Sequence, residues 1–545
     1  MEDSYGIAID IGTSGLRAQS IELTTGKVIA TAITMRHPLP GANVMDHLHF
    51  AIDSGKDLAN EMIIGALNLL LKELKIDLSK VRRIGVCGNP IQLSLFQNME
   101  IRDLAYAGER AKKKLGVENV VRNAKVIEAG ATGLGVNPEA EVYIPPSVKH
   151  EIGADALAMM YETDFLSTDE IAMVTDYGTN AEMALKVDGE ILTGSAAAGP
   201  AIEGEHISMG MLAAPGAISD VDIINGSSDV KTFVLDDCLM KRDSDVVDPM
   251  TGRTSEKGGL RVRGLTGTGV IALVATGLDA GFMRPGKIPN EEKMIRLQEG
   301  ITFTEEDLVE VGKTMAAFMA GHATLVEEAG ISIQDVGSMY MTGASGTYVD
   351  AFKSMKIGLV PGSTRKVWQV GNTSLALARD LVSDPGLLDG IQDVANSIRA
   401  KHVMFANEKV FENAFAVELG VWTQGMPHKD AEKMRAFFHL DPSPELNPSP
   451  EIIRLVERDI DDLGREGLTV VEDIGITLTG LVEDCDYCMR CVKACNEDAI
   501  AMEKINDKCY VTIRSDKCMG TACRRCERRC RSKVLHIDSL AIAGT

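Results

Sequence analysis

Tyr5-Gly6-Ile7-Ala8-Ile9-Asp10-Ile11-Gly12-Thr13-Ser14-Gly15 is an apolar run that ends in an aspartate and a turn of small residues, and a second strand-like run follows it to Leu23. The pattern returns as Ile171-Ala172-Met173-Val174-Thr175-Asp176-Tyr177-Gly178-Thr179-Asn180, again followed by an alternating run, which reaches a Val187-Asp188-Gly189-Glu190 hairpin turn. An Asp leading into Gly-Thr-Ser or Gly-Thr-Asn suits phosphate chemistry. Small residues let backbone N–H groups approach phosphate oxygens, hydroxyls add donors, and the carboxylate can hold magnesium through water or orient an attacking water. One such turn is common in ordinary loops, where its Asp only caps the turn. Two copies imply two related halves and strengthen the phosphate reading.

Outward from these stretches, the spacing predicts a helix over 57–76 and a strand over 81–87 that runs into Gly88-Asn89-Pro90. Further on it predicts a helix over 305–329, a strand over 338–342, a glycine turn at Gly343-Ala344-Ser345-Gly346 and a helix over 374–382. Strands alternating with helices give an α/β core. Asp441-Pro442-Ser443-Pro444-Glu445-Leu446-Asn447-Pro448-Ser449-Pro450 reads as a stiff, extended linker, with a helix expected from about Glu451. The chain thus divides into a first half over 1–170, a second half with insertions over 171–440, a linker and connecting helix over 441–475, and a C-terminal domain over 476–545.

The 545 residues, 45% of them apolar, suffice for several domains, and no apolar stretch approaches the length of a membrane span. With no basic leader at Met1-Glu2-Asp3-Ser4, a cytoplasmic location is expected. A net charge of -23 argues against general nucleic-acid binding. From Cys485 onward the balance reverses, with 12 Lys/Arg against 8 Asp/Glu.

Nine of the eleven cysteines fall between Cys485 and Cys530. Cys485-x-x-Cys488-x-x-Cys491-x-x-x-Cys495 has the spacing of bacterial two-cluster ferredoxins, and Cys518, Cys523, Cys526 and Cys530 follow as a second group. Zinc sites more often gather cysteine pairs across a longer loop, and a disulfide framework suits a secreted chain. Two 4Fe-4S clusters are therefore expected. Asn496 and Arg531 depart from the proline usual after each fourth cysteine, and the Cys518 to Cys523 gap is wider than the usual one. By likeness to the crossed ligation of such ferredoxins, Cys485, Cys488, Cys491 and Cys530 hold one cluster, Cys495, Cys518, Cys523 and Cys526 the other, and Cys509 is left over. Arg524, Arg525, Arg528, Arg529, Arg531 and Lys533 surround the last ligands, either to offset cluster charge or to dock an acidic redox partner.

The paired hairpins resemble those of the actin, sugar-kinase and heat-shock chaperone superfamily of ATPases, whose two phosphate hairpins clamp a nucleotide between duplicated halves. Ala196-Ala197-Ala198-Gly199-Pro200-Ala201-Ile202-Glu203-Gly204, Ala213-Ala214-Pro215-Gly216-Ala217-Ile218, Thr342-Gly343-Ala344-Ser345-Gly346 and Gly371-Asn372-Thr373-Ser374 narrow the likeness to reductive activators of corrinoid proteins, over residues 5 to about 425. A C-terminal iron-sulfur unit is similar to the methanogen branch of that family. The resemblance implies duplicated actin-like (ribonuclease H-like) halves plus a small α+β ferredoxin-like domain, and ATP with Mg2+ as ligands. It places Asp10, Gly12, Thr13, Ser14 and Gly15 in the first phosphate loop, and Asp176, Gly178, Thr179 and Asn180 in the second, with Gly343 and Gly346 near the adenosine. Asp10 and Asp176 become the candidates for magnesium-water ligation and water activation.

It further implies ATP-dependent reduction of cobalt(II) to cobalt(I) on corrinoid proteins of mono-, di- and trimethylamine methyltransferases, fed by a low-potential electron donor. No corrinoid-binding signature is recognisable in this chain, so the corrinoid is expected on the partner. Competing readings are an ATP-dependent activator of another low-potential radical enzyme, which usually shares one cluster across a dimer; a nucleotide-gated redox sensor; and a small-molecule kinase, which leaves the cysteine tail without a purpose. Gly267-Thr268-Gly269-Val270-Ile271-Ala272 imitates a dinucleotide fingerprint but reads better as a helix start. His47 and His49 read as surface or packing residues rather than a metal pair, and Cys87 and Cys238 as buried small apolar residues.

Overall fold

The computed structural model describes residues 4–34, 36–41, 43–105, 113, 116–117, 120–148, 152–178, 180–196, 201, 206–211, 213–224, 226–398, 401–472 and 474–542. They form two compact units. One comprises Met1–Ala154, Leu377–Gln392 and Asp462–Thr545; the other comprises Asp155–Ala376 and Asp393–Asp461.

In the first unit, Tyr5–Ile11, Leu16–Glu22 and Lys27–Thr34 form an antiparallel meander, and Val81–Gly88 joins parallel to Tyr5–Ile11 on its other side. Glu141–Ile144 continues the parallel part, and Lys125–Glu128 closes that edge. The segment between meander and parallel strand holds the helices Val44–Ser54 and Lys56–Lys72, the latter burying Ala59, Met62, Ile63, Ala66, Leu67, Leu70 and Leu71 at helical spacing.

The second unit repeats the arrangement. Ala172–Tyr177, Ala181–Val187 and Glu190–Ala196 form the meander, Ser338–Thr342 lies parallel to Ala172–Tyr177, and Lys366–Gly371 continues the parallel part. Val187 pairs with Glu190 across the expected hairpin turn. Helices Gly267–Ala280 and Glu305–Glu328 fall in the corresponding connection. The first starts at the Gly-Thr-Gly run, capped by the Thr266 side chain on the Gly269 amide; the second starts with a capping box between Thr304 and Asp307. The same connection carries a five-stranded sheet built from Ala217–Ile223, Val230–Leu235, Lys241–Val247, Thr254–Glu256 and Gly264–Leu265, none of whose strands the sequence spacing predicts.

Two short strands correct the expected connecting helix. Glu451–Arg454 is a strand, parallel to Lys366–Gly371 at the edge of the second sheet, and Leu468–Val471 is a strand parallel to Lys27–Thr34 at the edge of the first. Gly343 to Gly346, expected as a turn, begins the short helix Gly343–Tyr348. Beyond them a four-stranded sheet of Thr477–Leu481, Ile500–Ile505, Lys508–Arg514 and Ala541–Ile542 carries eight of the domain's nine cysteines on its connections, with Cys509 in the strand Lys508–Arg514.

In the second unit the helix Lys409–Gln424 packs on Glu305–Glu328, where a Cβ on Gly312 would lie 2.9 Å from the Trp422 Cβ. Glu418 on that helix holds the Arg435 guanidinium, and both side chains are buried. Removing one member of a buried pair leaves the other charge uncompensated. Glu418→Ala is expected to destabilise this unit by about 3–5 kcal/mol in urea unfolding; a loss below about 1 kcal/mol would show the pair to be solvated.

Candidate functional site

Asp10 is buried near the C-terminal end of its strand, between Arg17 on the antiparallel neighbour and Cys87 on the parallel one. Arg17 Nη1 lies 3.4 Å from Asp10 Oδ2. Gly12 to Gly15 turn tightly enough that a Cβ on Gly12 would come within 2.9 Å of the Gly15 carbonyl oxygen. Just beyond the turn, the Leu16 amide donates to Thr34 Oγ1 at 2.8 Å. Thr13 is held from the parallel strand's side, because Asn89 Nδ2 donates to Thr13 Oγ1 at 3.1 Å. Sequence reasoning read Gly88-Asn89-Pro90 only as a turn. Asn89 before Pro90 is also a helix cap, with its Oδ1 accepting from the Ile91 and Gln92 amides.

Asp176 occupies the equivalent place in the other sheet, paired with Glu182 and Thr342 in the two neighbouring strands. Gly343 has φ +82°, and a Cβ there would lie 2.6 Å from Asp176 Oδ1. Thr342 Oγ1 is 3.2 Å from the Thr175 carbonyl and 3.4 Å from Asp176 Oδ2. The second aspartate and the glycine turn are therefore brought together. Gly178 and Asn180 come two and four residues after Asp176, and a Cβ on Gly346 would lie 3.2 Å from the Met341 carbonyl carbon. Thr179, residues 197–200 and residues 202–204 lie outside the described residues.

The eight cysteines sort into two groups. Burial pushes the Cys518 thiol up to about 12, against a hydrogen bond from the Gly520 amide, and Cys526, Cys495 and Cys523 add to the rise. Burial likewise raises Cys526 to about 11, with Glu527 and Cys523 acting on it. Cys491 is raised by burial, then by Cys530 and Cys488; Cys485 by burial, then by Cys509 and Cys491. The neighbours of Cys518 are thus Cys495, Cys523 and Cys526, and those of Cys491 are Cys530 and Cys488. Cys509 is buried beside Cys485, with its Sγ 3.6 Å from the Cys485 carbonyl.

Soft thiols in two groups of four suit iron-sulfur clusters. Among the described residues no three His, Cys, Asp or Glu side chains are gathered tightly enough for a single ion. Amides already point at the sulfurs, as Ala499 N donates to Cys495 Sγ at 3.3 Å. Arg525 Nε donates to Cys523 Sγ at 3.1 Å and also pairs with Glu497. Arg524 is committed to Asp53 and Glu527, whereas Arg528, Arg529, Arg531 and Lys533 are exposed.

Of the two histidines read as surface or packing residues, His47 is a packing residue, fully buried, hydrogen bonded to Gln92 and stacked on His37 with ring centroids 4.2 Å apart, and His49 is a surface residue. Cys87 is buried as expected, but Cys238 is exposed, in the turn that Asp236 holds. No helix among the described residues is long and apolar enough to cross a membrane.

The duplicated meander with its aspartate at each strand end defines an actin-like, or ASKHA, fold. Residues 5–168 match the RACo middle region and residues 170–432 match the C-terminal domain of RACo, its ASKHA domain. The chain is 49% identical over 520 residues, 95% of its own length and 96% of the other's, to the Co(II) methylated amine-specific corrinoid protein reductase of Methanosarcina barkeri. It is 25% identical to the corrinoid activation enzyme RamQ of Eubacterium limosum over 392 residues, 66% of this chain and 60% of that protein. A solved reductive activator for corrinoid, iron-sulfur protein shares the fold with TM-score 0.63 and 24% identity, covering 77% of this chain and 66% of that chain. The chain belongs to this family of corrinoid protein reductive activators.

Burial depresses the His47 pKa to about 3 and holds His37 well below its usual value. The unfolded chain then binds protons that the folded chain refuses, so stability present at pH 7 is lost as pH falls from about 6.5 toward 3. Between pH 7 and pH 5 His47 alone is expected to cost about 2 kcal/mol. Urea midpoints across that range check this, and His47→Phe should flatten the slope; an unchanged slope in the variant would contradict it.

Proposed function

We propose that this chain returns corrinoid proteins of the mono-, di- and trimethylamine methyltransferases from cobalt(II) to cobalt(I), hydrolysing ATP and passing electrons through two 4Fe-4S clusters. The observation that carries this is the presence, in one chain, of a duplicated aspartate turn and two groups of four thiols. The relatives support it, since one is named as a reductase of a methylated amine-specific corrinoid protein and another as a corrinoid activation enzyme.

Each turnover moves one electron from a low-potential donor through the thiol-rich domain to cobalt, while ATP and water become ADP and phosphate. An uphill gap of about 250 mV costs roughly 6 kcal/mol for one electron, which an ordinary donor does not supply and nucleotide hydrolysis does. Clusters supply one-electron steps at low potential. Asp10 and Asp176 would orient magnesium-bound or attacking water, and Gly12 to Gly15, Gly178, Asn180 and Gly343 to Gly346 would offer backbone donors to the nucleotide. Cys485, Cys488, Cys491 and Cys530 hold one cluster; Cys495, Cys518, Cys523 and Cys526 hold the other. The exposed Arg528, Arg529, Arg531 and Lys533 beside the last ligands suit an acidic electron-transfer partner.

Anaerobically reconstituted protein is expected to carry about eight irons per chain, and Cys526→Ser about half of that, with one of two electron paramagnetic resonance signals retained. Zinc in place of iron, or full iron loading in the variant, would contradict the assignment.

A further inference from the structure

Within the first unit, a continuous run of contacts joins the first phosphate loop to a cluster cysteine. Asn89 donates to Thr13 Oγ1 at 3.1 Å and caps the helix Pro90–Phe96. Gln92, two residues into that helix and fully buried, donates from Nε2 to His47 Nδ1 at 2.8 Å. The His47 ring stacks on His37, whose Nδ1 accepts from the Leu39 amide at 3.1 Å. The segment that follows meets the cysteine loop directly. The Gly41 amide donates to the Cys518 carbonyl at 2.9 Å, and Arg36 Nη1 donates to the Asp516 carbonyl at 3.3 Å. Gly520, at φ +61°, is pressed so closely on this segment that a Cβ would lie 3.0 Å from the Pro40 carbonyl oxygen.

The middle of the run holds more polar atoms than packing requires. Among the described residues His47 Nε2 is buried without a hydrogen-bond partner, and His37 Nε2 and Gln92 Oε1 make no hydrogen bond of good geometry, although the Gln92 side chain lies near enough to act on His37. Each such atom costs about 1–3 kcal/mol, and an apolar trio of similar shape would avoid that cost. Because Gln92 Nε2 and the Leu39 amide both donate, the two imidazoles carry their protons on Nε2. Turning the Gln92 amide over and moving the His47 proton to Nδ1 gives a second arrangement with the same number of hydrogen bonds, in which Oε1 accepts. Two arrangements of similar cost in one buried cluster are the bistable element that coupling between distant sites needs.

We infer that Asn89, Gln92, His47 and His37 are positioning residues that link phosphate occupancy at Thr13 to the setting of Cys518, and so to the potential of the cluster it would hold. This rests on the functional reading above. Linkage makes the effect reciprocal: nucleotide that shifts the potential of that cluster binds the oxidised and reduced protein with correspondingly different affinity. A threefold affinity difference reads as about 28 mV for a one-electron couple.

The test is a redox titration of the reconstituted full chain by electron paramagnetic resonance, with and without ADP, for the unaltered protein, Gln92→Leu and His47→Phe. Iron content and ADP affinity are measured in parallel. The expected result is an ADP-dependent shift confined to the cluster signal that Cys523→Ser alters. That shift is lost in both variants while iron content and ADP affinity of the oxidised protein stay within twofold. No shift in the unaltered protein, a shift in both signals alike, or a shift that survives both variants overturns the inference. Absence of clusters or of ADP binding in the unaltered protein would overturn the functional reading itself, and this inference with it.

Discussion

An aspartate at the carboxyl end of a strand, flanked by a parallel strand on one side and a hairpin partner on the other, is the constraint on which the rest depends. Asp10 and Asp176 both satisfy it. Ligands of α/β sheets collect beyond the carboxyl ends of parallel strands, because the connections there turn their amides outward. Placing a carboxylate at that point demands small residues around it. Gly343 shows the demand most plainly, since its backbone approaches the Asp176 carboxylate too closely for any side chain. Thr342 and Asn89 meet it differently, by hydrogen bonding the aspartate or the turn from the neighbouring strand's side.

The cysteine domain answers a different constraint. Burial raises the Cys518 and Cys526 thiols, so a group that binds thiolate strongly is what displaces their protons. Cys495 follows Cys491 closely in the chain, yet its electrostatic neighbours include Cys518 from the second cysteine run. Each thiol group therefore draws on both cysteine runs, and losing the fold of the small sheet would scatter both groups together. Arg525 on Cys523 Sγ shows part of the local positive charge committed to offsetting sulfur, while the arginines toward Cys530 remain at the surface.

The meanders were legible because strand, aspartate and turn are consecutive and occur twice. The cysteine-rich segment stood out because nine of the eleven cysteines are confined to a short stretch. What escaped was non-local. Glu451-Ile452-Ile453-Arg454 is too short to show a period, and it becomes a strand only by pairing with Lys366 to Gln369. The five-stranded insertion mixes Asp and Lys into its strands, as in Lys241–Val247, which hides the alternation. Whether His47 was a surface or a packing residue stayed open in the sequence because its partners, Gln92 and His37, lie outside its own helix. Cys238 looked buried by residue type, but the Asp236 turn around it faces solvent. Asn89 was visible as a turn residue; its bond to Thr13 required the two strands to be placed side by side.

The proposed function turns on nucleotide driving the electron to cobalt. It is tested most directly by mixing the reconstituted protein anaerobically with a low-potential reductant and a cobalt(II) methylamine corrinoid protein, and following absorbance with and without ATP and Mg2+. The account predicts cobalt(I) only when ATP is present, and none with Asp10→Ala. Cobalt(I) formed equally without ATP, or ATP hydrolysed with the corrinoid spectrum unchanged across several methylamine corrinoid proteins, would contradict it.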